Sequence, residues 1–448
     1  MKRFVWFGGF TFVALATLGA PPWAHAQEAQ PNAYIAVGKA KTRKTVFAFP
    51  EIQSDANTRE AARAIRETAT ADLTFMDLFK FMDGRAFIEK PDAGLQVGTF
   101  QNSDWTSIGA ELVLKAKVTR TEASLTLDAY LTDVSGSKQL LGKRYLATPT
   151  EARSVAHTLA NDVVTALTGS PGIFKTKIAM TCEKGGKKEI FFMDFDGTNV
   201  RQLTRHRSIA FAPAWNPDGT RLAYSLFNPR RDRTKNIDLF EFDFVTNRLR
   251  LLSNRTGMNS GAAYAPDGKG LALTMSFMGN PELFLLDPAA GTITRLTKSL
   301  GVDVDPTWSP DGSKLAFVSS RSGPAMVFTM NRDGSNPQRV TYAGQYNATP
   351  TWSARGNKLA FAGWLDGRFD LFIMNPDGSS IERLTKNQGN NEDPHFSPDG
   401  NFIVFSSDRT GSKNVYVMNA DGSYVKRLTF GLGNCTTPKW SVPPPRTF

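Results

Sequence analysis

The chain has 448 residues, 41% of them hydrophobic and 11% aromatic, which supports a sizeable core over two or three domains and excludes a disordered or fibrous protein. Lys and Arg number 53 against 42 Asp and Glu, a net charge of +11 that favours anionic partners without choosing among them. Two cysteines allow one disulfide at most, and His157, His206 and His395 are too widely separated in sequence to complete a four-ligand zinc site with them.

The N-terminal 26 residues begin with Lys2 and Arg3, run apolar from Phe4 to Leu18 and end in Ala24-His25-Ala26, the spacing that signal peptidase cuts. About 15 apolar residues fall short of the roughly 20 that span a bilayer, so this segment reads as a signal peptide rather than an anchor. Cleavage between Ala26 and Gln27 leaves a soluble exported protein that meets membranes only through partners.

Residues 27–168 predict an α/β domain. Thr45-Val-Phe-Ala-Phe reads as a strand, residues 57–73 as a helix with Ala61, Ile65, Ala69 and Leu73 on one face, and residues 111–118 as a second strand. Leu125, Leu127, Ala129 and Leu131 mark a third, followed by a turn near Gly136 and a fourth over residues 140–146. Thr148-Pro-Thr-Glu151 is a capping box that opens another helix with Val155, Leu159, Val163 and Leu167 in one stripe, ended by Gly169 and Pro171.

Residues 172–448 are built on a repeat. Trp215-Asn-Pro-Asp-Gly, Tyr264-Ala-Pro-Asp-Gly, Trp308-Ser-Pro-Asp-Gly, Trp352-Ser-Ala-Arg-Gly, Phe396-Ser-Pro-Asp-Gly and Trp440-Ser recur at intervals of 49, 44, 44, 44 and 44. The turns at Trp308, Trp352 and Phe396 each precede an apolar segment such as Leu315-Ala-Phe-Val, then a second ending in Asp-Gly, then a short one such as Gln338-Arg-Val-Thr. Pro presets φ, Asp bonds its own backbone and Gly accepts positive φ, so both signals are tight reversals. Four strands in about 44 residues is the arithmetic of a propeller blade. The first repeat has Pro171 where its aromatic is due, while Trp440 opens a repeat that stops at once. The terminal strands therefore share a blade and close the ring. The fold expected is an α/β N-terminal domain followed by an all-β six-bladed β-propeller of WD40-like (PD40) repeats. The interval of 49 adds a basic loop over residues 228–236, with Arg230, Arg231, Arg233 and Lys235. Cys182 and Cys435 fall near one end of the shared blade, where a disulfide would staple the ring; two separate thiols are the alternative.

Catalytic signatures do not occur: there is no G-x-S-x-G, H-E-x-x-H, P-loop or dinucleotide fingerprint. Asp194-x-Asp-Gly197 reads as a hairpin turn rather than a calcium loop, and His395 as a packing residue. The basic segments read as solvated surface, with no nucleic-acid partner. Asp303, Asp305, Glu392 and Asp393 at strand entrances surround one mouth of the channel, where they would receive a basic peptide or loosely hold a cation; ordinary loop polarity is the alternative.

The ordered combination of signal peptide, α/β domain ending Leu167-Thr-Gly-Ser-Pro-Gly-Ile-Phe-Lys-Thr-Lys-Ile-Ala, and P-x-W-S-P-D-G-x-x-L-A-F blades resembles the TolB family of periplasmic Tol-Pal proteins. The resemblance implies a non-enzymatic adaptor without cofactors, acting in outer-membrane integrity and constriction during cell division. It implies that the propeller mouth binds the lipoprotein Pal, with Met258, Asn259, Gly261, Asp303, Val304, Asp305, Asn347, Asn391 and Asp393 as candidates by position. The mature N-terminus would engage the C-terminal domain of TolA through Gln27, Tyr34, Ile35, Ala36 and Val37, and other outer-membrane proteins are further candidate partners. A generic exported scaffold and, behind it, a propeller-based hydrolase or lyase are the alternatives.

Overall fold

The computed structural model describes residues 43–90, 92–122, 124–229 and 235–444. Ala26, Gln27, Tyr34, Ile35, Ala36 and Val37 lie outside the described residues, as do Arg230, Arg231 and Arg233.

The N-terminal part is a five-stranded mixed sheet in the order Phe79–Phe81, Thr45–Ala48, Leu112–Arg120, Leu125–Asp133, Lys138–Ala147. Strict alternation places Leu125, Leu127, Ala129 and Leu131 on the inner face, where all are buried. Helix α1 (Arg59–Phe75) and α3 (Ala152–Thr168) cover that face, while the short α2 (Asn102–Thr106) lies in the segment crossing the other. The α1 entry is fixed by Asp55, whose carboxylate accepts the Thr58 N–H and hydroxyl at 2.9 and 2.7 Å. For α3, the capping box of Thr148 and Glu151 opens a 3-10 turn at Pro149–Glu151, and Gly169 ends the helix at φ 73°. The observed α1 differs from the expected helix at both ends. Its buried residues include Ala62 rather than Ala61, and it extends to Phe75, because that ring is needed at the join to the propeller. The three-residue strand Phe79–Phe81 is too short to carry a period.

Among the described residues, six four-stranded antiparallel sheets form the ring. Their inner strands are Ala210–Trp215, Asn259–Tyr264, Asp303–Trp308, Asn347–Trp352, Asn391–Phe396 and Asn434–Trp440. Each begins at one face of the ring, here the entrance, and ends at its aromatic near the exit. The indole N–H of Trp308 donates to the carbonyl of Ala263, and that of Trp215 to the carbonyl of Lys439, tying these two blades to the preceding inner strand at 3.0 and 3.1 Å. Asn434–Trp440 pairs with Lys177–Lys184 from the far end of the propeller sequence and completes the seam blade. Cys435 stands directly opposite Cys182, and the two are disulfide-bonded.

A single apolar cluster runs from the N-terminal sheet into the seam blade and its neighbour. Phe75 packs with ring centroids 5.1 Å from both Phe195 and Phe402, contacts worth about 0.5–1.5 kcal/mol each beyond area burial. Arg153 of α3 reaches the Asp196 carboxylate and Thr198 hydroxyl, each at 2.8 Å. The Asp194-x-Asp-Gly197 segment is thus a hairpin turn, with Gly197 at φ 92° and Asp196 accepting the Thr198 N–H.

Candidate functional site

Every inner strand carries a bulge near its midpoint, and the residue there is left-handed: Ala212, Gly261, Asp305, Thr349, Asp393 and Thr437, at φ between 48° and 61°. Five of the six are not glycine, so each of those costs about 1–2 kcal/mol. The same five precede proline, which disfavours the right-handed helical region before it and asks for no ladder partner on the channel side. The bulges aim a ring of side chains into the channel, which opens towards the exit into a cavity of about 360 Å³ walled by prolines and aromatics.

The channel holds Asp305, Asp393, His395 and Lys439. Asp393 is fixed by the Thr437 N–H and the Ser406 hydroxyl, both at 3.0 Å. The Nδ1 of His395 accepts the Trp440 N–H at 3.2 Å, so the imidazole serves the seam as an acceptor rather than only filling space. Desolvation, aided by the charge of Lys439, pushes its pKa down to about 3. Desolvation raises the Asp305 carboxyl and lowers the Lys439 ammonium. An unfolded imidazole takes its proton near 6.5, so stability held above that pH is lost as the pH falls towards 3. Asp305 works in the opposite sense, its contribution being present at low pH and lost as the pH rises through its folded value. Replacing His395 with Gln should therefore reduce the stability lost between pH 7.5 and 4.5 by roughly 1–2 kcal/mol, measured by urea unfolding at both values. An unchanged loss would remove His395 as its source.

The four acidic entrance residues do not gather at the mouth as expected. Asp303 turns into its blade, where its carboxylate meets Arg321 at 2.8 Å, and Glu392 pairs with Lys413. Asp305 and Asp393 lie deeper, at the bulges. Asn259, Asn347 and Asn391 share the slot of Asp303 at the head of the inner strand, and all four are at most 3% exposed. They tie down the loop before the strand or the neighbouring hairpin: Asn259 donates to the carbonyls of Ile237 and Arg255, Asn347 to that of Ala343, and Asn391 accepts from Arg409. Met258, Val304 and Gly261 are half-buried, and Gly261 lines the channel. The repeated polar residues are therefore blade fasteners, and Cys435 opposite Cys182 takes the register of Asp303 opposite Ser319 and Asn391 opposite Ser407.

The entrance also presents apolar side chains outward. Leu300, Tyr342, Tyr346 and Phe430, on loops leading into inner strands, are exposed, as are Met278 and Leu365 on the hairpins between the second and third strands. Their only sequence signal is an apolar residue inside a polar loop. Among the described residues no group of three or more His, Cys, Asp or Glu side chains comes together as metal donors.

The family model described as the TolB beta propeller domain matches residues 164–363 and 348–444, and that of the TolB amino-terminal domain matches residues 33–140. The chain belongs to the TolB family. It is 35% identical over 256 residues to the Tol-Pal system protein TolB of Desulfosudis oleivorans, covering 56% of this chain and 57% of that one. It is 34% identical over 264 residues to that of Anaeromyxobacter sp. strain K, covering 59% of each. The matched stretch thus spans less than two thirds of these relatives. The crystal structure of TolB from Acinetobacter baumannii superposes with a TM-score of 0.77 at 24% identity, covering 91% of this chain and 98% of that one, which shows the same fold. Within the TolB family fold, then, this chain closes its ring with a covalent seam and carries exposed apolar side chains around its entrance.

Proposed function

We propose that this TolB-family chain is a non-enzymatic periplasmic adaptor of the Tol-Pal system. It docks Pal on the entrance face of the propeller and offers its mature N-terminus to the C-terminal domain of TolA, in the service of outer-membrane integrity and constriction at division. The observation that carries this reading is the crown of exposed apolar side chains around the mouth. Leu300 is fully exposed and Tyr342 is 72% exposed, on loops braced from below by the buried Asn and Asp fasteners. Apolar and aromatic anchors held on rigid loops around a concavity are what a protein partner buries. The export signal and the disulfide support an oxidising compartment. Tyr34-Ile-Ala-Val suits addition to a sheet edge, and Pal occupancy biases whether that segment is free for TolA.

The test is calorimetric titration of residues 27–448 with the soluble domain of Pal. Saturable binding is expected, weakened by about tenfold or more in Leu300→Ser/Tyr342→Ser, since both are solvent-exposed and their loss leaves the core intact. Absence of binding at high micromolar concentration, or no effect of the double substitution, overturns the Pal assignment. Deleting residues 27–37 should abolish TolA-domain binding, and unchanged binding sinks that half of the reading.

A further inference from the structure

Beside the mouth, over the seam, lies a second concavity of about 500 Å³. Lys184 and Lys187 of the seam hairpin line it from one side, Arg205 and Arg207 of the next entrance loop from the other, and Phe191 and Leu432 contribute apolar wall. All four cations are exposed, and among the described residues none makes an ion pair; the hairpin's pair is Lys188 with Glu183, at 3.7 Å. Glu189, the acid of the groove, is buried and already engaged by the Thr204 hydroxyl and the Arg207 N–H.

Like charges held around one groove repel, and each uncompensated pair raises the energy of the free protein. A ligand carrying carboxylates removes that repulsion and gains charge-assisted hydrogen bonds, so anions are what this surface binds selectively. The cations flank a recess rather than standing out on a convex face, which suits an extended chain entering the groove and not a flat lipid surface. Phe191 and Leu432 would meet the aliphatic stems of such a chain, and Leu432 stands two residues along the same loop from the exposed Phe430 of the entrance.

We infer that the seam groove receives an acidic peptide segment of the protein that docks on the mouth, an inference that takes its partner class from the reading of the mouth as a protein-docking face. The groove supplies orientation and a faster encounter, while the apolar crown supplies most of the affinity.

The probe is a fluorescein-labelled hexaglutamate peptide titrated with residues 27–448 and followed by anisotropy. Binding is expected at 50 mM NaCl, weakened about tenfold at 300 mM and lost in Lys187→Glu/Arg205→Glu, whose exposed positions leave the fold intact. Leu300→Ser/Tyr342→Ser should bind the peptide as the unsubstituted protein does, so failure of Pal binding and failure of the groove are read separately. Circular dichroism and the melting temperature confirm that each variant is folded. The inference is overturned if hexaglutamate does not bind, if the charge-reversed variant binds it equally, or if phosphatidylglycerol vesicles bind while the peptide neither binds nor competes.

Discussion

Replacing Cys182 with Ser and Cys435 with Asn should lower the stability of the oxidised protein by about 2–5 kcal/mol, although the folded packing barely changes. The pair chosen is the one the neighbouring blade uses, since Asn391 stands opposite Ser407 in the same register. Lys184 also follows Cys182 at the distance at which Arg409 follows Ser407, so a cation is in place to serve the new Asn. What the variant loses is the link across a sequence separation of 253 residues. In every other blade the inner strand is joined to its neighbour by a short turn, and the pairing costs little entropy. At the seam, bringing the strands together closes a loop whose entropic cost is about 5 kcal/mol by chain statistics. The disulfide imposes that closure on the unfolded chain too, so it favours folding without adding a native contact. Thermal or urea unfolding of both proteins, with and without reductant, measures the difference. The account fails if the variant matches oxidised wild type within 1 kcal/mol, or if reductant does not bring wild type to the variant's level.

The ring was legible in the sequence because the Pro-Asp-Gly turns recur with a nearly constant period, and period survives substitution of single residues such as Ala354-Arg355. Ring closure followed from one displaced aromatic, and the placement of the cysteines from the same alignment. The site was less legible for three physical reasons. A polar residue recurring at one repeat position looks the same whether it faces a partner or fastens a loop, and Asn259, Asp303, Asn347 and Asn391 turn inward. The left-handed bulges fall on Ala212, Thr349 and Thr437, residue types that give no warning of positive φ, so the depth of Asp305 and Asp393 could not be read. The crown residues Leu300, Tyr342 and Phe430 sit in loops without periodicity, where exposure is decided by the neighbouring blades. In the N-terminal domain the capping box at Thr148 was read because its two bonds are local, whereas the coverage of the sheet's second face depends on pairs distant in sequence.

That second face carries the last expected effect. Lys115 points from the strand Leu112–Arg120 into the segment that crosses the sheet, its ammonium 2.5 Å from the Glu89 carboxylate and 4.4 Å from the centroid of the Phe100 ring. The other oxygen of Glu89 accepts the Trp105 indole N–H at 3.0 Å. Both charged side chains are buried, and desolvation lowers the Lys115 pKa against the support of Glu89. Lys115→Met leaves a carboxylate in that apolar setting with one neutral donor, and should cost about 3–5 kcal/mol. Lys115→Met with Glu89→Gln should recover most of the loss, because the amide oxygen keeps the Trp105 bond and no net charge remains buried. The difference between the variants separates the value of the ion pair from the penalty of half of it. Urea unfolding followed by tryptophan fluorescence, to which Trp105 contributes, gives both numbers. If the single substitution is as stable as the double, the segment is held by Phe87, Phe100 and Trp105 packing on Val113 and Val134, and the pair is incidental.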